Sequence, residues 1–272
     1  KYLKERLPFI CELAKAYVGV DPGKEPIPVR PTAHYTMGGI ETDGKCATRM
    51  PGLYAAGECA SVGLHGANRL GSNSLSEIVV FGKVAGEQAA EFAATQQHGN
   101  TEALAAKAEQ LIKQHLSLMD IDGTENPADI RNELGMSMEA GVGIYRTEEL
   151  MQGTIDKINE LKARYKKVKI NDKSSVFNTD LLYAIELGYM LDVAEAMAHS
   201  AINRKESRGS HQRLDGYEER DDVNFLKHTL SFYAPEGAPT IDYSDVKITK
   251  SQPAKRVYGS EGEKQDEAKK NG

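Results

Sequence analysis

The stretch LHGANRLGSNSL, residues 64–75, sets a histidine and an arginine among small residues, directly before a long apolar run. Arg69 suits an anionic ligand because its planar guanidinium grips a carboxylate with two parallel hydrogen bonds. The glycines around it let the backbone approach a ligand closely. The stretch therefore predicts an anion site; the alternative is a solvated loop with Arg69 in a surface salt bridge.

Two histidines are candidates for a second donor at this site. His34 lies in TAHYTMGGIETD, a segment with an extended pattern that is interrupted by Gly38 and Gly39. Its ring N–H would add to the hydrogen bonds of Arg69, and the alternative is a purely structural histidine. His65 has the weaker case, because a histidine inside the loop also fits a role in orienting Arg69 or capping the turn.

Glu58 ends the apolar run GLYAAGE, residues 52–58, which has the pattern of a buried parallel strand. A carboxylate there can accept hydrogen bonds from a ribose diol, and the alternative is a solvated acid at a strand end. A dinucleotide also needs a glycine-rich turn for its pyrophosphate, and the chain has no G-x-G-x-x-G. GVGIY, residues 141–145, does not provide such a turn either, because no predicted strand precedes it. If a dinucleotide binds, its phosphate-binding half lies outside this sequence.

A helix is predicted from Ser74 to about Phe92, with Ser72 or Asn73 as its N-cap. Its free N–H groups and partial positive charge would stabilise an anionic flavin ring or a phosphate, while an ordinary helix start is the alternative. Small residues in its apolar stripe would let it lie close to a sheet. The predicted inward stripe is Leu75, Ile78, Val79, Gly82, Ala85, Gly86 and Ala89.

Helical periodicity predicts further helices that would carry this site. They span 2–18, about 101–119, a segment starting at Asn126-Pro127, one starting at Thr147, and one from Thr179 to about Asn203. Their lengths and short connections favour an antiparallel bundle. For the first two the predicted inward residues are Leu3, Leu7, Ile10, Leu13, Ala14 and Tyr17, and then Leu104, Ala108, Leu111, Ile112 and Met119.

Prolines and alternation define the remaining segments. The four prolines of VDPGKEPIPVRP predict an extended connector, and TQQHGN, residues 95–100, marks a boundary. DVNFLKHTLSFY and TIDYSDVKIT alternate as strands do, while SEGEKQDEAKKNG has no apolar anchor and is predicted to be disordered.

Composition excludes several classes of protein. The 272 residues carry a net charge of −6 without a long basic run, so nucleic acid is not an expected partner. The longest apolar stretch, residues 75–93, is interrupted by glycines and charges, so no membrane span is expected. Three cysteines without CxxC spacing predict neither a disulfide framework nor a metal site, and favour a reducing compartment.

Long motifs resemble one family, the flavoprotein subunits of bacterial fumarate reductase and succinate dehydrogenase. They are RPTAHYTMGGIETD, GLYAAGECASVGLHGANRLGSNSLSEIVVFG and the segment from ARYKKVKIND to SHQRLD. The resemblance covers nearly the whole chain. YTMGGIETD and the ending YSDVKITKSQPAKRVYG are more similar to quinol-linked fumarate reductase than to succinate dehydrogenase.

The resemblance implies a reaction and roles for individual residues. In that family fumarate lies against FAD and takes a hydride from flavin N5, while a separate arginine delivers the proton. His34 and Arg69 match positions that hold a substrate carboxylate, and Glu58 matches the acid on the FAD ribose. Ser74 and Leu75 match backbone contacts to the flavin, and TMGG, residues 36–39, matches backbone beside the isoalloxazine.

The resemblance covers only the C-terminal part of that subunit. The glycine-rich turn, the histidine that binds FAD covalently and the proton-delivering arginine all precede it, so no catalytic proton donor is expected here. We therefore expect the chain alone neither to hold FAD tightly nor to reduce fumarate. The implied partners are fumarate or succinate, an iron–sulfur subunit and membrane anchor subunits, at the cytoplasmic face of the inner membrane.

The implied fold class is α/β plus α, in which a returning segment of a Rossmann-like FAD domain is followed by an antiparallel helical bundle. The predicted divisions are 1–31, the end of a capping domain and a connector; 32–96, FAD domain; 97–203, helical domain; 204–259, a small mixed C-terminal domain; and 260–272, a disordered tail.

Three alternatives remain open at this stage. L-aspartate oxidase resembles the same HYT–GG and GLHGANR–SNSL patterns and would work without an iron–sulfur partner. A non-catalytic interaction module would keep the helical bundle and a vestigial FAD segment. A nicotinamide dehydrogenase fits only the strand, glycine and acid pattern. The direction of the reaction is not set by these residues, because both directions use them.

Overall fold

Proline divides the first predicted helix. The computed structural model describes residues 2–97, 99–250 and 252–254, and it has α1 at Tyr2–Arg6 and α2 at Pro8–Val18. The break falls before Pro8, which has no N–H to continue the ladder. Gly19 ends α2 in the left-handed conformation, with φ of 70°. The predicted inward face is largely wrong, since only Ala14 of its six residues is buried.

Two compact units make up the chain, Lys1–Thr36 and Met37–Gly272. Residues 26–39 form neither helix nor strand, as the prolines of this segment predicted. The second unit contains all the other elements described below.

The second unit begins with two short parallel strands, β1 at Ile40–Glu41 and β2 at Ala60–Ser61. The predicted strand at 52–58 is wrong. Within that segment Tyr54 forms an antiparallel bridge with Ala47, and turns occupy its two ends. The apolar run has the composition of a buried strand, but a strand forms only where a partner backbone accepts and donates its hydrogen bonds.

The third helix, α3, spans Asn73–Thr95, close to the predicted Ser74 to Phe92; Ser72 occupies the N-cap position as predicted, but its side chain makes no capping hydrogen bond. It packs on the preceding segment through the Tyr54 ring, which meets Phe92 edge to face. The predicted inward stripe is wrong: Leu75, Ile78 and Val79 are exposed, and Val79 is 71% exposed. The face that packs on this chain instead centres on Glu77, which is buried.

Three helices enclose the apolar core: α5 at Pro127–Val142, α6 at Glu148–Tyr165 and α7 at Thr179–Asn203. Each of these helices begins after a capping residue, whose side chain accepts a hydrogen bond from an amide of the first turn. The capping residues are Asn126, Thr147 and Asn178. The most deeply buried members of this core are Ile130, Met151, Ile158, Leu161, Val168, Leu187, Leu191 and Ala198.

The helix α4, which precedes these three in the chain, spans Thr101–Leu116 and buries no residue. A short 3-10 helix at Ser117–Asp120 follows it. The predicted inward positions Leu104, Leu111 and Ile112 are exposed, so that prediction is wrong for the described part of the chain. His115 near its end contacts the Tyr189 hydroxyl of α7 at 3.1 Å.

Small sheets complete the fold. β3 at Tyr145–Arg146 pairs in parallel with β4 at Gln212–Arg213, and β5 at Lys227–Phe232 pairs antiparallel with β6 at Thr240–Asp245. The two predicted C-terminal strands are thus confirmed. The predicted disordered tail, 260–272, lies outside the described residues. The fold is a helix-rich mixture with small sheets.

No helix in the described ranges is both long and apolar enough to span a bilayer. Cys11, Cys46 and Cys59 are free thiols. Burial raises the pKa of the Cys46 thiol, whose sulfur donates to the Phe81 carbonyl at 3.4 Å.

We predict that Gly141→Ala destabilises the three-helix core by about 2–3 kcal/mol. A Cβ on Gly141 would lie 2.0 Å from the Thr154 hydroxyl oxygen and 2.5 Å from the Leu150 carbonyl oxygen, so α5 and α6 must separate. Gly135→Ala, in the same helix with open space around it, should be neutral or stabilising by up to about 1 kcal/mol. Urea unfolding followed by circular dichroism measures both. Equal stabilities would contradict the predicted close packing.

Candidate functional site

Glycine lets two backbone segments lie in close contact at the start of the second unit, just before strands β1 and β2 pair in parallel. Gly38 and Gly39 have φ of 110° and 132°, and a Cβ on Gly39 would lie 2.5 Å from the Cys59 carbonyl oxygen. The Ile40 amide donates to that same carbonyl at 2.9 Å. Gly38 has open space beside it, so its backbone is bare on that side.

Glu58 lies in the turn that leads into β2, next to Cys59. The turn is closed by the Ala60 amide, which donates to the Gly57 carbonyl at 2.9 Å, and Gly57 has φ of 83°. The predicted strand end is therefore a tight turn, and Glu58 is exposed there.

The loop of residues 62–72, called the Arg69 loop below, follows β2. His65 in this loop contacts Glu77 of α3, with 2.5 Å between the imidazole Nε2 and a carboxylate oxygen. Glu77 is only 2% exposed, and its pairing with His65 compensates part of the cost of burying it. His65 therefore has a structural partner, and it ties the Arg69 loop to α3.

Arg69 is half-buried, and its Nη1 donates to the neighbouring Leu70 carbonyl at 3.3 Å. The loop then enters α3 through Ser72, which has φ of 65°, an uncommon value for a non-glycine residue. The short loop brings Arg69 within a few residues of the positively charged end of a 23-residue helix.

The first turn of α3 has no side-chain cap and no acidic residue. Ser74 is half-buried and Leu75 is exposed. The Leu75 amide donates to the Ser72 carbonyl at 3.1 Å. No side chain neutralises this N-terminus, although Ser72 or Asn73 was predicted to cap it; its role toward a ligand stays a prediction.

His34 belongs to the first unit, whereas Arg69 belongs to the second. His34 is exposed and lies in the segment without helix or strand. Its pairing with Arg69 around one ligand stays a prediction. The second unit contains the other predicted residues, Gly38, Gly39, Glu58, Arg69, Ser74 and Leu75; of these, the contact of Gly39 with Cys59 brings Glu58 near the glycine pair.

Sequence reasoning missed a buried ionic cluster in NRKESRGSHQRLD, residues 203–215. Its centre is Glu206, which is 0% exposed. Arg204 donates to one carboxylate oxygen at 2.7 and 2.9 Å, and Arg208 donates to both oxygens at 2.8 and 2.9 Å. The Asp221 amide adds a bond of 2.8 Å. The dense alternation of arginine and acid was the signal available in the sequence.

His211 joins this cluster as a neutral imidazole. Its Nε2 donates to the Arg204 carbonyl at 3.0 Å, which leaves Nδ1 to accept from Arg146 Nη1 at 2.8 Å. Burial, with smaller contributions from neighbouring arginines, lowers the pKa of His211 to about 4. Burial and the charge of Arg213 also lower the pKa of Arg146, to about 10.

The arrangement fits a flat, anionic cofactor better than a metal ion. Gly38 offers bare backbone as a surface, and the exposed Glu58 offers an acceptor for hydroxyl groups of a ligand. The uncapped start of α3 offers a partial positive charge. Among residues 2–97, 99–250 and 252–254, no group of three or more His, Cys, Asp or Glu side chains is placed to hold a metal.

Comparison with known proteins finds two family matches. A family described as "FAD binding domain" matches residues 1–75, and one described as "Fumarate reductase flavoprotein C-term" matches residues 131–258. These matches cover both the candidate site and the ionic cluster.

Individual relatives are named fumarate reductase flavoprotein subunits. The chain is 69% identical over 271 residues to a fumarate reductase flavoprotein subunit of Serratia sp., and 68% identical over 269 residues to that of Escherichia coli. These alignments cover 99% and 98% of this chain but 45% of each relative. The solved structure of an E. coli quinol fumarate reductase superposes with a TM-score of 0.91 at 69% identity, over 94% of this chain and 44% of that one.

We predict that the chain loses about 2 kcal/mol of stability between pH 7 and pH 5 through His211. The pKa is about 4 when folded against an ordinary value of 6.5, so the unfolded chain binds the proton first and stability falls as pH falls through this window. Urea unfolding at both pH values measures the loss. His211→Gln, which has no titrating group, should show a loss smaller by that amount. An equal pH dependence in both chains would contradict the assignment.

Proposed function

The chain belongs to the family of fumarate reductase flavoprotein subunits, and on that premise we propose that it forms the dicarboxylate- and flavin-binding part of such a subunit. It spans about 45% of the length of the relatives that it matches. The observation that supports this proposal most is the run from Gly38 through Arg69 to the start of α3, where bare backbone, an arginine and an uncapped helix N-terminus follow one another.

FAD bound here would supply the hydride that reduces fumarate to succinate. Gly38 and Gly39 would let the backbone lie beside the ring, because neither presents a side chain. Glu58 would accept hydrogen bonds from the ribose hydroxyls, since its carboxylate is exposed at a turn. Ser74 and Leu75 would place the positive end of α3 against negative charge on the flavin.

Arg69 and His34 would hold a carboxylate of the substrate. The Arg69 guanidinium suits this role because its planar fork pairs two donors with two carboxylate oxygens. Both residues would draw electron density from the double bond and fix its orientation for hydride transfer. The proton would come from an arginine outside this chain, as the resemblance implies.

The exposed stripe of α3 supports a longer functional subunit. Leu75, Ile78, Val79 and Val80 together present an apolar face that no described part of the chain covers. We propose that the remainder of the flavoprotein subunit covers it and completes a Rossmann-like FAD domain with residues 32–96. Residues 1–31, 97–203 and 204–259 would then be the end of a capping domain, the helical domain and the C-terminal domain.

Electrons would arrive from an iron–sulfur subunit held by membrane anchor subunits at the cytoplasmic face of the inner membrane. A structural neighbour carries the description of a quinol–fumarate reductase with menaquinol molecules, which supports this assembly. The relatives' names favour fumarate reduction over L-aspartate oxidation. Comparing aspartate with succinate as reductant separates these two activities.

We predict that Arg69→Lys lowers kcat/KM for fumarate by about 100-fold or more, because a lysine cannot make the bidentate contact. The chain is tested in place of the matching segment of the E. coli subunit, to which it is 68% identical, with a reduced viologen dye as donor. Arg131→Lys, at an exposed position of α5, is the matched control and should keep full activity. Unchanged activity of Arg69→Lys would remove Arg69 from the substrate site.

The chain of 272 residues by itself should neither retain FAD through gel filtration nor reduce fumarate with the same dye. The physical reason is that the ribose and ring contacts proposed here leave the pyrophosphate without a glycine-rich turn. Flavin absorbance of the eluted protein and dye oxidation measure this. A yellow, active chain would contradict the proposed division of the site.

A further inference from the structure

We propose that the turn Arg208–His211 is a positioning element for the substrate site: it holds the Arg69 loop in place through the carbonyl of Ala67. This inference rests on the proposed function, because it assigns to the turn the task of orienting Arg69 before a dicarboxylate binds. The turn belongs to the C-terminal region, 143 residues away in the sequence from the carbonyl that it contacts.

The contact consists of two hydrogen bonds on one acceptor. The backbone N–H and the hydroxyl of Ser210 each donate to the Ala67 carbonyl oxygen, both at 3.0 Å. A carbonyl oxygen has two lone pairs, so this pair of donors satisfies it fully. Ala67 lies two residues before Arg69, and fixing its peptide restricts the backbone that carries the guanidinium.

Gly209 makes this approach possible. Its φ is 60°, and a Cβ there would lie 2.3 Å from the Ala67 carbonyl oxygen and 2.8 Å from the Ala67 Cβ. Any side chain at Gly209 must therefore push the Arg69 loop away or distort the turn. Arg208 and His211 support the turn in a different way, since their side chains form hydrogen bonds within the ionic cluster.

The ionic cluster makes the turn rigid. Arg208 and His211 exchange backbone hydrogen bonds of 2.8 and 3.1 Å across the turn. The Arg208 side chain is held by Glu206, and the His211 ring is held by Arg146 and the Arg204 carbonyl. A turn with both ends anchored in a buried network can serve as a fixed support.

The Arg69 loop has two further attachments. His65 contacts the buried Glu77 of α3, and the position of a Cβ on Gly63 lies 3.3 Å from the His228 ring of β5. The Arg69 loop is thus attached to α3 near its start through His65, passes close to β5 at Gly63, and is held by the turn at Ala67. Ordering such a loop during folding rather than during binding spares the ligand that entropic cost, which favours tighter dicarboxylate binding.

Hydrogen–deuterium exchange on the 272-residue chain tests the contact directly. Gly209→Ala should speed exchange of the Ser210 amide, which donates to the Ala67 carbonyl, by about tenfold, while α5, α6 and α7 keep their protection. Gly216→Ala is the matched control: Gly216 also has a positive φ, 92°, but a Cβ there meets nothing within 4 Å. It carries the same kind of backbone strain without touching the loop.

Malonate, a dicarboxylate that cannot be reduced, tests the effect on ligand binding. With the chain in place of the matching E. coli segment, malonate is titrated against the flavin absorbance spectrum. Gly209→Ala should raise the Kd by about tenfold or more with flavin content unchanged, and Ser210→Ala should raise it by about threefold to tenfold through the loss of one hydrogen bond. Ser210→Thr, which keeps the hydroxyl, should restore most of the affinity.

These experiments distinguish failure of the positioning role from failure of the proposed function. If Gly209→Ala and Ser210→Ala match Gly216→Ala in exchange or in malonate Kd, the positioning role is overturned. Loss of flavin from Gly209→Ala would leave Ser210→Ala and Ser210→Thr to decide it. If malonate leaves the flavin spectrum of the unsubstituted protein unchanged, the proposed function fails and the role in ligand binding fails with it, whereas the exchange result still decides whether the turn holds the loop.

Discussion

A buried carboxylate needs partners, and the pairing of Glu206 with Arg204 and Arg208 is the constraint on which the rest of the second unit depends. Removing a charge from water costs several kcal/mol unless hydrogen bonds replace the lost solvent. Glu206 receives those bonds from two guanidiniums and the Asp221 amide. The arrangement fixes the chain from 204 to 222, and through the turn at Gly209 it fixes a loop that lies far away in the sequence.

The sequence predicted those parts of the fold that local chemistry decides. Asn126 followed by Pro127, and Thr147 followed by two acids, are helix starts that need no distant partner, and both are confirmed. The antiparallel strands β5 and β6 are confirmed for a similar reason, since their alternation and the turn between them are local. The start of α3 was predicted to within one residue from the apolar run that follows Ser72, although the Ser72 side chain does not make the predicted cap.

Features that depend on a distant surface could not be predicted in this way. Periodicity identified the apolar stripes of α3 and α4, but Val79 and Leu104 are exposed because the described chain provides nothing to cover them. The apolar run at 52–58 lacked a partner strand for the same reason. The pairing of His65 with Glu77, and of Ser210 with Ala67, also requires three-dimensional proximity, so the sequence left His65 without a role.

We propose that a turn anchored by buried ion pairs presents Arg69 to a dicarboxylate beside a flavin, and a structure of the chimaeric flavoprotein subunit with FAD and malonate bound tests this most directly. We expect the Arg69 guanidinium to donate two hydrogen bonds to one malonate carboxylate while Ser210 keeps both of its bonds to the Ala67 carbonyl. Malonate bound away from Arg69, or bound at Arg69 with the contact between Ser210 and Ala67 broken, would contradict it.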